Sequence, residues 1–163
     1  MILPRYHVAA STIPGAGKGL FLDESASAGQ ILIAPDDIRK VYKWNEVQGL
    51  PNAEELLAAT VRWFEDRYTV TPEWPDECYV NHAFEPTGLW HLGFVFAATN
   101  LPRGCEITVD YRHLLAPGQE ESFHDAHTGA RIVGYTWHES LSRSTAQLHA
   151  LHARGTSHEP VPA

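Results

Sequence analysis

The chain has 163 residues, with 44% hydrophobic residues, five tryptophans and a formal net charge of −8 with the histidines neutral. A chain of this length buries roughly 70% of the surface its unfolded form exposes, so one domain with a real core is expected and disorder is excluded. No cluster of lysine and arginine is present to track a phosphate backbone, which argues against nucleic acid as a partner. Two cysteines, Cys78 and Cys105, are too few for a disulfide framework and point to reduced thiols. No apolar run approaches 18 residues, and the N-terminus carries no charged stretch followed by an apolar one; the expectation is a cytoplasmic protein that does not insert into a membrane.

Eleven prolines and twelve glycines promise short strands, long connections and few helices. Tyr6 to Ala10 reads as a strand, Ser11 to Gly19 as a glycine-rich turn and Leu20 to Leu22 as a second strand. Gln30 to Ala34 is a third short strand, bounded by Pro35. From Asp36 to Thr71 the texture changes. Asn52 fits an N-cap, Glu54 and Glu55 fit a first turn, and Leu56, Leu57, Thr60, Val61 and Phe64 recur at helical spacing, which predicts the clearest helix of the first half, with Trp63 and Trp74 packed on its face.

The stretch from Cys78 to Tyr111 reads as a tight loop around Asn81, a strand near His91 to Thr99, a turn at Pro102-Arg103-Gly104 and a strand from Glu106 to Asp110. Beyond it, Pro117-Gly118 and Thr128-Gly129 mark loops. Glu139 to His152 forms a last helix with Leu141, Ala146, Leu148 and Leu151 available for a face. The tail from Gly155 to Ala163 is polar and frays.

Several chemistries can be tested against spacing. A phosphate-binding loop requires G-x-x-x-x-G-K-[ST], but Thr12 stands five before Gly17 and Gly19 follows Lys18. The dinucleotide fingerprint fails at Leu20, and a strand follows where that fingerprint needs a helix. The pairs His124/His127 and His149/His152 lack the glutamate of a zinc-protease helix and any nearby thiol, so surface histidines account for them and no metal is expected. Cys78 and His82 lie four residues apart, yet nothing specifies the third group that a thiol nucleophile needs.

Three segments in order carry a resemblance. Gly17-Lys18-Gly19-Leu20-Phe21, then Asn81-His82 within NHAFEPT, then Glu106-Ile107-Thr108-Val109-Asp110-Tyr111 after Arg103-Gly104 resemble the G-x-G-[LV]-F, N-H-S-C-x-P-N and E-[IL]-x-x-D-Y motifs of the SET-domain lysine methyltransferases. The similarity runs over roughly Arg5 to His113. Ala83, Phe84 and Thr87 depart from the family's usual Ser, Cys and Asn, and Cys78 stands where Arg is common.

The resemblance implies a mainly β SET fold of small antiparallel sheets closed by a knot-like threading, which would set NHAF beside VDY. It implies a core over residues 1–113 with a variable insert near 36–72, and an extension over 114–163 made of a loop and a helix. The cofactor implied is S-adenosylmethionine: Gly17, Lys18 and Gly19 would lend backbone to its methionine end, Asn81 would hold its amino group, and His82 would meet the adenine side. Tyr111 would stand beside the transferred methyl group, where a lysine of a protein or peptide enters. The residue types suit that chemistry, because in-line displacement from a sulfonium needs mainly alignment at about 3 Å, and a tyrosine can orient an amine while its ring faces a cation.

No cysteine-rich zinc module follows Tyr111, so another segment must close the site. The stretch from Phe123 to Trp137, with Tyr135 and Trp137 as lids, is the expectation. The expected function is methyl transfer to a protein lysine, and the alternative is a catalytically inactive SET-like module that binds a peptide. Whether the chain acts alone or as a homodimer stays open.

Overall fold

A computed structural model describes residues 1–36, 38 and 40–155. Strands β1 (Tyr6–Ala10) and β2 (Lys18–Leu22) form an antiparallel hairpin in which Tyr6 faces Leu22 and Ala10 faces Lys18. The next strand in sequence, β3 (Ile31–Ile33), joins a different sheet. The insert follows with α1 (Trp44–Gln48), the one-turn helix α2 (Ala53–Leu56), and a hairpin of β4 (Thr60–Phe64) with β5 (Arg67–Val70). After it come β6 (Asn81–His82), β7 (Gly88–His91), β8 (Phe94–Ala97) and β9 (Glu106–Val109). The hairpin of β10 (Glu120–His124) with β11 (Arg131–Val133) precedes the long helix α3 (Trp137–Gly155).

The architecture is therefore mixed α/β: several small antiparallel sheets, a helical insert and a C-terminal helix. The helices carry more of the chain than a mainly β reading allows, chiefly because α3 runs over 19 residues. The first sheet has the order β1-β2-β9-β6, and a three-stranded sheet has the order β3-β8-β7. Within the first, β6 runs parallel to β9, with Asn81 opposite Thr108 and His82 opposite Val109.

Strand β9 is buried along its whole length because both faces are covered. Ile107 and Val109 point into one apolar cluster with Leu20, Leu22, Leu32, Val80, Val95, Ala97 and Leu101. Alternation then sends Glu106 and Thr108 to the other face. They are buried there too, so each needs polar partners. That face becomes the candidate site.

The insert departs from the expected helix. Asn52 adopts a left-handed conformation with φ 58° and caps nothing through its side chain; after α2 and a 3-10 turn at Leu57–Ala59 the chain turns extended at Thr60. The β-branched and aromatic residues Thr60, Val61, Trp63 and Phe64 favour a pleated strand, and pairing with β5 decides the competition against helical spacing. Trp63 packs on Trp90 and Trp74 on Tyr79, neither on a helix face.

The strand expected from His91 to Thr99 is β8, confined to Phe94–Ala97, and an unexpected strand β7 precedes it and ends at His91; the two are joined by Leu92-Gly93. Both turn residues have positive φ, 50° and 86°, as a two-residue hairpin of right-handed twist requires. A side chain at Gly93 would also collide with the Trp63 ring. The last helix starts two residues earlier than expected, where Thr136 and Glu139 form a reciprocal capping box: the Thr136 amide donates to Glu139 Oε2 (3.0 Å) and the Glu139 amide to Thr136 Oγ1 (3.2 Å). The tail beyond Gly155 lies outside the described residues. Among the described residues, no helix is long and apolar enough to cross a membrane, and Cys78 and Cys105 are free thiols.

Candidate functional site

The site gathers where β9 is flanked by β2 on one side and β6 on the other. Its polar anchor is Glu106. This buried carboxylate accepts from Ser11 Oγ (2.7 Å), the Thr12 amide (2.8 Å), Thr12 Oγ1 (2.6 Å) and Asn81 Nδ2 (2.9 Å). Burial would push its pKa up, but the hydrogen bonds from Thr12, Ser11 and Asn81 outweigh burial and hold it below the ordinary value.

Asn81 also donates to the Lys18 carbonyl (2.9 Å), so one amide joins β6, the glycine loop and Glu106. The loop itself closes through the Ser11 amide on the Gly17 carbonyl (2.9 Å), with Gly17 at φ 75°. At Gly19 a side chain would run into Glu106, which is why β2 and β9 can hold this carboxylate between them only with glycine there. The Lys18 ammonium lies over the Tyr79 ring at 5.6 Å, and Tyr79 meets Trp74 edge-on.

His82 points inward. Its Nδ1 accepts the Tyr111 amide proton at 3.1 Å, so the neutral ring carries its own proton on Nε2. That nitrogen is buried without a hydrogen-bond partner, 3.7 Å from Asp125 Oδ1. Both side chains are almost wholly buried, at 3% and 4% exposure. Burial lowers the His82 pKa against the pull of Asp110 and Asp125, which keeps the ring neutral. Asp125 is held in the β10–β11 turn by the Thr128 amide and hydroxyl, both at 2.7 Å.

Tyr111 follows β9 directly. Its hydroxyl donates to the Val80 carbonyl at 2.7 Å, and its ring lies 5.3 Å from His82 and 6.4 Å from Phe123. Burial, then the charges of Glu121 and Cys78, push the phenol pKa up, so it stays protonated. With its proton committed to Val80, the phenol oxygen presents lone pairs as acceptors.

The fold thus brings Gly17, Lys18, Gly19, Asn81, His82 and Tyr111 to one region, through the pairing of β2, β9 and β6. Tyr135 occupies the neighbouring wall. The Tyr135 ring receives Arg112 and Arg143, each at 4.8 Å, and abuts His113, while its carbonyl accepts from Arg62 (2.8 Å). Arg112 lies between Tyr135 and Phe84 and pairs with Asp110 through its Nε and Nη2. Trp137 opens α3 and is half-buried. Within the stretch from Phe123 to Trp137, the ring that touches Tyr111 is Phe123.

Sequence reasoning missed Glu106 as an anchor, although it opens the third motif, and missed Asp125 entirely. Ser11 and Thr12 ahead of the glycine loop were the available signal for Glu106, since short hydroxylated side chains beside a turn commonly tie down a partner. Nothing local marks Asp125.

The sequence matches no model of a known protein family and no curated protein at a significant level.

Proposed function

We propose that the chain is a SET-type, S-adenosylmethionine-dependent protein-lysine methyltransferase. The observation that carries this reading is the parallel pairing of Asn81-His82 with Thr108-Val109, which sets the second and third motifs side by side while Asn81 reaches the first through the Lys18 carbonyl. The strand order β1-β2-β9-β6, with a parallel pair at its end, supports the finer SET-like, knot-like fold.

The residues present fit the cofactor's chemistry. The methionine end carries an ammonium and a carboxylate, and the glycine loop offers the Lys18 carbonyl to the first and open backbone to the second, with no side chain crowding Gly15 or Gly17. The sulfonium is a cation, and the aromatic rings of Tyr111 and Phe123 suit it. His82 Nε2 is a buried donor without a partner on the same wall. When bound, the cofactor supplies an electrophilic methyl group. Asn81 and the Lys18 carbonyl hold its amino-acid end. Tyr111, oriented by Val80, accepts a hydrogen bond from the substrate amine and aims the nitrogen lone pair. His82 supports this by fixing the Tyr111 backbone through Nδ1.

Calorimetry with S-adenosylmethionine tests the reading, and absence of binding by the folded wild type overturns it in favour of a catalytically inactive peptide-binding module. Where the cofactor binds, Tyr111→Phe is expected to lower transfer to a lysine-containing protein by about tenfold or more while leaving cofactor affinity nearly unchanged. Mass spectrometry of the methylated products reads both rate and product profile.

A further inference from the structure

From Ser122 to Arg131 every residue of the β10–β11 hairpin is exposed except one, and that one is a carboxylate, Asp125. Burying a charge is costly without partners, so a role in the core is needed to explain it. The turn fixes its orientation. Oδ2 accepts from the Thr128 amide and hydroxyl, both at 2.7 Å, the Asp125 amide donates to the Ala130 carbonyl (2.9 Å), and the Gly129 amide donates to the Asp125 carbonyl (2.8 Å). Oδ1 faces His82 Nε2 at 3.7 Å.

The other side of this contact is just as unusual. His82 Nε2 is shut off from solvent and has no hydrogen-bond partner, although buried polar atoms ordinarily find one. Its distance to Oδ1 exceeds a hydrogen bond by only about half an ångström. Asp110, the other carboxylate that acts on the ring, is taken up by Arg112.

The tautomer of His82 decides what Tyr111 meets. With the ring proton on Nε2, Nδ1 offers its lone pair to the Tyr111 amide at 3.1 Å. With the proton on Nδ1, two N–H groups would face each other and the Nε2 lone pair would face a carboxylate. We infer that Asp125 is a positioning residue: it fixes His82 in the Nε2–H form and, through that ring, holds the backbone of Tyr111. Phe123 of the same hairpin meets the Tyr111 ring, so one hairpin secures both the main chain and the phenol. What this does for the phenol's part in transfer rests on the methyl-transfer reading, while the fixing of the tautomer does not.

The test follows the imidazole nitrogen shifts by NMR in the full chain, for wild type, Asp125→Asn and His127→Asn, an exposed substitution in the same turn. In Asp125→Asn the Thr128 amide claims the side-chain oxygen and leaves the NH2 group facing His82 Nε2, which favours the Nδ1–H form. The expected result is a change of His82 from Nε2–H to Nδ1–H together with a displaced Tyr111 amide resonance, while His127→Asn matches the wild type. A wild-type His82 in the Nδ1–H form overturns the proposal without any variant. An unchanged tautomer in Asp125→Asn, shown by thermal melting to be folded, overturns it too, as does an equal change in His127→Asn. In turnover, Asp125→Asn is expected to lower kcat about tenfold or more with KM for S-adenosylmethionine nearly unchanged. A changed tautomer with undiminished kcat overturns the role in transfer and leaves methyl transfer standing. A changed tautomer in a chain that does not bind S-adenosylmethionine keeps Asp125 as the residue that orients His82 and removes methyl transfer.

Discussion

Glu106 holds together three segments that are far apart in the chain, and it does so with a charge in a place where water is scarce. Its four donors come from Ser11, Thr12 and Asn81, up to 95 residues away. Substitution by Gln keeps the size but turns one acceptor oxygen into a donor facing these same donors. We expect Glu106→Gln to destabilise the fold by about 1–3 kcal/mol in chemical denaturation. The sign with pH follows from the direction of the shift. Because the folded pKa lies below the ordinary 4.5, the carboxylate's contribution is present above that value and is lost as pH falls through the lower folded pKa. Stability curves of wild type and Glu106→Gln should therefore converge below about pH 4.5, and parallel curves would show that the charge of Glu106 contributes nothing.

Helix α3 docks by an unusual seam. The expected apolar face is only partly used: Leu151 is buried and Leu141 and Leu148 are half-buried, but Ala146 is exposed. Ser140 and Ser144 take the most buried places and meet His113 Nδ1 at 2.8 Å and His91 Nδ1 at 2.9 Å. Serine brings the helix close, and each hydroxyl satisfies a ring nitrogen that burial would otherwise leave unpaired. Burial pushes the His113 pKa down to about 4, well under the ordinary 6.5. The unfolded chain therefore binds the proton first, and the stability this neutral ring contributes, present above pH 6.5, is lost as pH falls towards 4. Hydrogen exchange should show α3 losing protection ahead of β9 over that window, and His113→Gln should flatten the dependence. Uniform loss across both elements would contradict this account of the seam.

At the scale of the whole molecule, Arg62 joins the insert to the core. It is 1% exposed and donates to the His113 carbonyl through Nε and Nη2 and to the Tyr135 carbonyl through Nη1, while its own amide donates to Leu114. No carboxylate faces it among the described residues; Tyr68 is its side-chain neighbour, and desolvation lowers its pKa. The guanidinium is thus spent on backbone carbonyls at the junction that follows Tyr111. Arg62→Leu removes the buried charge but orphans two carbonyls, at about 1–3 kcal/mol each. A lowered denaturation midpoint is expected, together with faster proteolysis within the insert; an unchanged midpoint would show that water replaces the guanidinium at no cost. The junction also carries His113 and Tyr135, so loosening it should reach the wall beside Tyr111.

Local patterns in the sequence were enough for β1, β2, β3 and β9, for the turn at Gly104 and for α3, because short apolar runs bounded by glycine and proline, and a polar helix with a periodic stripe, leave few alternatives. The insert was misread because Thr60, Val61 and Phe64 satisfy helical spacing and strand propensity at once, and only the partner strand β5 decides between them. The motif residues Gly17, Lys18, Gly19, Asn81, His82 and Tyr111 could be named from the sequence, since each sits in a recognisable run. Their meeting could not be read there. It depends on β6 lying parallel to β9 and on Glu106 reaching Ser11 and Thr12, and neither contact has a local signature. The same holds for Asp125. A carboxylate acquires its role from which donors reach it and which do not, and that is decided by packing of segments distant in sequence.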